Sequence, residues 1–153
     1  MSTMTETTIQ VYMVFIKASP EEIWDAITKP EFTSRYLHGS NVESSFEPGT
    51  PYKGWSSDRS QLFVDGEVLE SDPPRRLSFT WRALWDEELV SESASRVTWE
   101  IDPQTGGFSK VTVVHDQLEG APKTAATVAS DMGWKIVLDG MKTLLETGEP
   151  LAS

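Results

Sequence analysis

The sequence predicts an α+β fold in which a curved antiparallel β-sheet wraps around a long C-terminal α-helix, with two short helices after the first strand. Three observations carry this reading. The middle of the chain alternates apolar and polar residues, most clearly over Leu77 to Trp85, Arg96 to Ile101 and Lys110 to Asp116, the period of half-buried strands. Lys123 to Thr147 lacks proline and changes to helical spacing, with Val128, Met132, Trp134, Val137, Leu138, Met141, Leu144 and Leu145. Between the first strand and residue 38, two helix-start signals follow one another. A C-terminal helix about 35 Å long outruns a small flat sheet, so the sheet must curl to bury the apolar stripe.

Taken in order, Ile9 to Ile16 reads as a strand with apolar residues on both faces: Val11, Met13 and Phe15 on one, Tyr12, Val14 and Ile16 on the other. The second face is expected to meet a helix or a second copy of the chain, which makes a homodimer one reading. Ser19-Pro20-Glu21-Glu22 combines a capping serine, a first-turn proline and a glutamate three residues after the cap, which together start a helix. Thr28-Lys29-Pro30-Glu31 repeats the signal for a second short helix to about Leu37, with Phe32 and Tyr36 inward. Strands are expected over Asn41 to Phe46, Tyr52 to Trp55 and Phe63 to Glu70, the last interrupted at Asp65-Gly66 by a bend or bulge. Asp72-Pro73-Pro74 is a turn. Asp86 to Ser93 is expected to be an exposed polar loop, and Asp102 to Gly107 a hairpin connection. Gly148 and Pro150 stop the final helix.

The totals narrow the function. A length of 153 residues suits one domain, expected over residues 8–150 with 1–7 and 151–153 as flexible termini. Such a chain buries roughly 70% of its potential surface and needs no disulfide or structural metal. It has no cysteine, and its formal charge is −11 with basic residues scattered. That pattern excludes thiol chemistry and argues against nucleic acid. No apolar run reaches the length of a membrane helix, and the N-terminus has no signal-peptide pattern. Cytoplasm is the expected location, with no membrane partner.

Three segments resemble a known family. Val14-Phe15-Ile16-Lys17-Ala18-Ser19-Pro20-Glu21-Glu22-Ile23-Trp24-Asp25-Ala26, then Gly66 to Trp81 with its Asp72-Pro73-Pro74-Arg75-Arg76-Leu77 centre, then Gly133 to Gly148 are similar to homologues of the activator of the heat-shock protein 90 ATPase. The likeness runs from about Gln10 to Pro150. The resemblance implies the START-like, helix-grip (SRPBCC) superfamily, which includes lipid-transfer domains, plant pollen allergens and polyketide aromatase/cyclases. It implies a cavity between sheet and helix that often admits a hydrophobic ligand. Co-chaperone activity belongs to eukaryotic members carrying a separate additional domain, and this chain shows nothing matching one.

The candidate site follows. Phe79, Trp81, Trp85 and Trp99 occupy alternating positions on adjacent expected strands, and Trp134 projects from the helix. Curling would bring them to a common pocket lined by Phe79, Trp81, Trp99, Val113, His115 and Trp134; the plain alternative is that the rings fill a core. His115, inward after Val111 and Val113, offers a polar ligand contact or an acid–base group, or else is a satisfied buried histidine. Gly133 is expected to permit close approach of helix and sheet. No metal or cofactor is expected, since His-x-His, His-Glu-x-x-His and cysteine are all absent. Gly-x-Ser-x-Gly is absent too, and no catalytic residue is assigned. The resulting reading is a module binding a small hydrophobic or aromatic molecule. The alternatives are an aromatase/cyclase-like enzyme, with His115 and Tyr36 or Tyr52 moving protons, and a chaperone-accessory interaction protein.

Overall fold

A computed structural model of the chain describes residues 8–151; of the flexible termini expected at 1–7 and 151–153, residues 1–7 and 152–153 lie outside the described residues. The elements are β1 (Gln10–Ile16), α1 (Pro20–Thr28), α2 (Pro30–Tyr36), β2 (Asn41–Glu43), β3 (Pro51–Trp55), β4 (Leu62–Asp72), β5 (Arg76–Ala83), α3 (Glu87–Val90), β6 (Ser95–Gln104), β7 (Phe108–Asp116), α4 (Pro122–Ala129) and α5 (Ile136–Thr147). The strands form one seven-stranded sheet in the order β1-β7-β6-β5-β4-β3-β2, every neighbouring pair antiparallel. The sheet curves around the C-terminal helical segment, as expected for the helix-grip class.

Local chemistry accounts for most boundaries. Ser19 Oγ accepts from the Glu22 N–H at 3.2 Å while the Ser19 N–H donates to Glu22 Oε1 at 2.9 Å, the capping box anticipated for α1. Helix α2 starts differently: Lys29 serves as its N-cap without a side-chain bond, while Thr28 donates back to the Trp24 carbonyl at 2.8 Å. His38 and Gly39, at φ 52° and 74°, turn the chain out of α2. A bulge in β4 falls between Val68 and Glu70 rather than at Asp65-Gly66. Gly66 is a site of close approach, because a Cβ there would sit 1.7 Å from the Thr80 carbonyl oxygen.

The sheet's concave face carries Val68, Leu77, Phe79, Val97, Trp99, Val111 and Val113, all buried. Against them pack Ile23 and Ile27 of α1 and Val137, Leu138, Met141 and Leu144 of α5. The two apolar faces of β1 separate cleanly. Tyr12, Val14 and Ile16 join the core, whereas Val11, Met13 and Phe15 lie on the outer face of this edge strand, at 62%, 54% and 44% exposure. Lys142 Nζ donates to the Phe15 carbonyl at 2.6 Å, closing only the C-terminal end of the edge.

Three expectations need correction. Pro103 lies inside β6, not in the hairpin connection: it pairs with Ser109 of β7, beyond the point where β5 pairing ends at Arg76 and Glu100. On that side β6 is an edge, where a missing N–H costs nothing. Asp86 to Ser93 is not a purely exposed loop, since it contains α3, capped by Asp86 through the Glu88 N–H at 2.9 Å, and buries Leu89. Glu92 from the same segment accepts from Lys123 N, Thr124 N and Thr124 Oγ1 at 2.8–2.9 Å. It thereby satisfies the first turn of α4, whose N-cap Ala121 has no side chain able to do so.

The third correction concerns the C-terminal helix. The helical stripe is bent: Ser130 is extended (φ −70°, ψ 169°), and a kinked turn over Asp131–Lys135 joins α4 to α5. Ser130 Oγ donates to the Thr127 carbonyl at 2.7 Å, taking an acceptor the helix would otherwise use. Gly133 has non-helical angles (φ −90°, ψ −133°), and a Cβ on it would meet the Val128 carbonyl oxygen at 2.0 Å. The close approach at Gly133 is therefore between two stretches of helical backbone and not between helix and sheet. Gly133→Ala should destabilise the fold by about 2 kcal/mol, and Gly133→Leu by more, despite the higher helix propensity of both residues. Urea melts measure this, and an unchanged midpoint would show that the bend relaxes without cost.

Candidate functional site

Between the concave face, the α2–β2 loop and the kinked turn lies a cavity of about 490 Å³, within the range that holds a drug-sized ligand. Strand β5 contributes Phe79 and Trp81, β6 Trp99, and the kinked turn Gly133 and Trp134. Five of the residues singled out from the sequence thus share one cavity wall. Val113 and His115 do not: both are fully buried on the same face but lie behind the lining. Trp85, beyond the end of β5 and 48% exposed, stands at the mouth with Met132.

The rings form a connected series. Trp85 meets Trp81 edge-to-face at 6.0 Å, Trp81 meets His115 at 5.1 Å, His115 meets Trp134 at 6.0 Å, and Trp134 meets Trp99 at 5.6 Å. Such arrangements match ring quadrupoles and hold indoles at fixed angles. On the opposite flank Tyr52 of β3 stacks on Phe79 at 3.9 Å and 15°.

His115 is the hub. Trp134 Nε1–H donates to its Nδ1 at 3.0 Å, so Nδ1 is unprotonated and the proton resides on Nε2. Nε2–H then donates to Ser95 Oγ at 2.7 Å, and the Ser95 hydroxyl donates to the Trp81 carbonyl at 3.1 Å. Both ring nitrogens are consumed. The histidine therefore positions Trp134, and has no atom left for a ligand or a substrate proton. Tyr36 is similarly committed, its hydroxyl donating to the Ala26 carbonyl at 2.8 Å. Burial drives the His115 pKa down to about 4, opposed by the charge of Asp116, which Arg96 engages with two hydrogen bonds.

Sequence reasoning overlooked much of the far wall. Val42 and Val64 line it together with His38 and Ser40 of the α2–β2 loop, and so does Tyr52, which the sequence offered only as a proton-moving partner of His115 and not as a wall residue. The alternation Tyr52, Gly54 in β3 was a readable signal for Tyr52; nothing local marks the loop residues. Among the described residues no Asp, Glu, Lys or Arg lines the cavity, and no group of three or more His, Cys, Asp or Glu is placed to hold a metal ion. Nor is any described helix long and apolar enough to cross a membrane.

The family described as "Activator of Hsp90 ATPase homolog 1-like protein" matches residues 17–146. The chain belongs to that family. No curated protein sequence matches it. Similar solved structures include CalU16 from Micromonospora echinospora, at TM-score 0.70 and 19% identity over 94% of this chain and 77% of that one. The Aha1 dimer from Colwellia psychrerythraea superposes at TM-score 0.69 and 17% identity, covering 92% and 97% respectively. PFC0360w, an HSP90 activator from Plasmodium falciparum, does so at TM-score 0.59 and 20% identity, covering 94% and 91%. At these identities the superpositions establish the shared fold.

The buried neutral imidazole makes a pH prediction. Its native pKa, about 4, lies below the ordinary 6.5, so between those values the unfolded chain binds a proton that the native state refuses. Stability is complete above pH 6.5 and falls as pH drops toward 4, by roughly 3 kcal/mol from this residue alone. Comparing urea midpoints of native protein and His115→Gln across that range isolates the contribution from carboxylates common to both. Parallel pH profiles would contradict a histidine held neutral.

Proposed function

We propose that the chain binds a small, uncharged, largely apolar or aromatic molecule in the cavity between sheet and helix. The observation that carries this reading is the combination of a space of about 490 Å³ with a wall of fixed rings and, among the described residues, no Asp, Glu, Lys or Arg. Rings that merely filled a core would interlock around no such space. A wall without carboxylate, Lys or Arg penalises ionic ligands, which would lose hydration without gaining one of these as a counter-charge. An aromatase/cyclase-like role receives less support, because the His115 nitrogens and the Tyr36 hydroxyl are already bonded within the protein, which leaves Tyr52 in the cavity without the imidazole partner that role needs.

A thermal-shift screen of aromatic and fatty compounds, followed by tryptophan-fluorescence titration, tests the proposal. Burying about 200 Å² of ligand apolar area contributes roughly 5 kcal/mol before immobilisation is subtracted, so saturable binding in the micromolar to millimolar range is expected. Melting temperature should rise with ligand concentration relative to its Kd. Trp134→Ala should enlarge the space and alter ligand preference with the sheet intact. Absence of any saturable ligand would refute the proposal.

A second reading, contact with a chaperone, is favoured by the names of the family and of the Plasmodium relative, which speak for it more directly than for a ligand. The surface suited to it is the open outer face of β1, with Val11, Met13 and Phe15 exposed. Adding the protein to purified Hsp90 should raise ATPase turnover, and Met13→Glu should abolish the increase. An unchanged rate removes this reading. Self-association that Met13→Glu disrupts would instead assign the face to a second copy, the state in which the Colwellia relative was solved.

A further inference from the structure

We infer that the cavity selects a flat, conjugated molecule bearing a carbonyl-type oxygen, with the Tyr52 hydroxyl as the group that receives that oxygen. The inference rests on the cavity-binding reading and adds the chemical class of the ligand. Tyr52 is 5% exposed and lines the cavity. Its hydroxyl makes no hydrogen bond with any described residue, although the neighbouring phenol of Tyr36 does. Yet no fully occluded side-chain polar atom among the described residues lacks a partner. The Tyr52 oxygen therefore reaches accessible space, and the space this buried ring borders is the cavity.

The surrounding groups favour the same ligand chemistry. Trp99 is 3% exposed and lines the cavity; its indole nitrogen makes no hydrogen bond with any described residue, and an indole N–H can only donate. Ser40, also lining, uses its backbone N–H and carbonyl but leaves its hydroxyl unbonded among the described residues. Burial holds the Tyr52 phenol well above its ordinary pKa, so it keeps its proton. An apolar wall thus contains unfilled donors and, among the described residues, no Asp, Glu, Lys or Arg. A hydrocarbon would leave those donors unsatisfied, and a carboxylate would find no Lys or Arg to pair with. A planar ketone or quinone fits both features, its rings against the indoles and its oxygen on Tyr52.

Fluorenone and fluorene have nearly the same shape and differ by one carbonyl, which makes them the test pair. Titrating both into native protein and Tyr52→Phe, by calorimetry or fluorescence, gives a double-mutant cycle that cancels their different hydrophobicity. The preference for fluorenone over fluorene should be about tenfold larger in native protein than in Tyr52→Phe, with fluorene affinity nearly unchanged by the substitution. The infrared carbonyl stretch of bound fluorenone should move to lower frequency in native protein and return toward its apolar-solvent value in the variant. Because the hydroxyl has no protein partner, Tyr52→Phe should match native protein in circular dichroism and melting temperature. Equal preferences in the two proteins, with both probes bound, would overturn the inference and leave cavity binding standing. Binding of neither probe would overturn both.

Discussion

The indole N–H of Trp134 donating to a neutral His115 is the contact on which the arrangement of the cavity depends. Through it the kinked turn is tied to β7, and through the imidazole and Ser95 the tie continues to β6 and to the backbone of β5 at Trp81. Each link requires the one before. A protonated imidazole would have no lone pair for the indole, and the opposite tautomer would set two N–H groups against each other. The protein keeps the ring neutral by burial, while the one nearby carboxylate, Asp116, is held by Arg96. A buried polar chain with every member satisfied fixes geometry more tightly than apolar packing does. Here that geometry is the angle of an indole at the wall of an open space.

The bend in the C-terminal helical segment complements this tie. An unbroken helix over Lys123 to Thr147 would carry its stripe along one straight line. Instead, Ser130 diverts the Thr127 carbonyl and Gly133 lets the backbone fold close against Val128. The kinked turn then places Trp134 at the cavity wall and Met132 at its mouth. The bend and the histidine tie are thus mutually dependent: the turn places the indole within reach of His115, and the hydrogen bond anchors the turn to the sheet.

The strands of the antiparallel sheet, the capping box of α1 and the inward faces of β5, β6 and β7 were legible because each is written in a local pattern that tertiary structure did not override. Phe79, Trp81 and Trp99 follow from period-2 alternation, and Trp134 from the helical stripe. What escaped depends on distance through space. Pro103 within β6 depends on where the neighbouring β5 ends, and the cap of α4 by Glu92 joins residues about 30 positions apart. Gly133 was recognisable as a site of close approach, but its partner, the Val128 carbonyl, appears only once the bend is known. The role of His115 was concealed because inward orientation does not reveal that its two nitrogens face Trp134 and Ser95. Tyr52 was named from the sequence as a partner for His115, but its place in the wall comes from the cavity opposite its short strand.

The distribution of charge separates the two surfaces that bear on function. A chain with net charge −11 has no Asp, Glu, Lys or Arg among the described residues that line its cavity, and the outer-facing residues of β1, Val11, Met13 and Phe15, are also uncharged. Ion pairs cluster elsewhere on the convex face, where Arg76 bonds Glu70 and Glu100 and Arg96 bonds Asp116. The excess negative charge favours solubility and repels polyanions, while two neutral surfaces remain for apolar contact. They face opposite sides of the sheet, one toward α5 and one toward solvent. A substitution on the outer face of β1 therefore leaves the rings of the cavity in place, and a change at Trp134 or Tyr52 leaves β1 in place. Ligand binding and protein contact are physically separable in this fold, so evidence for one does not count against the other.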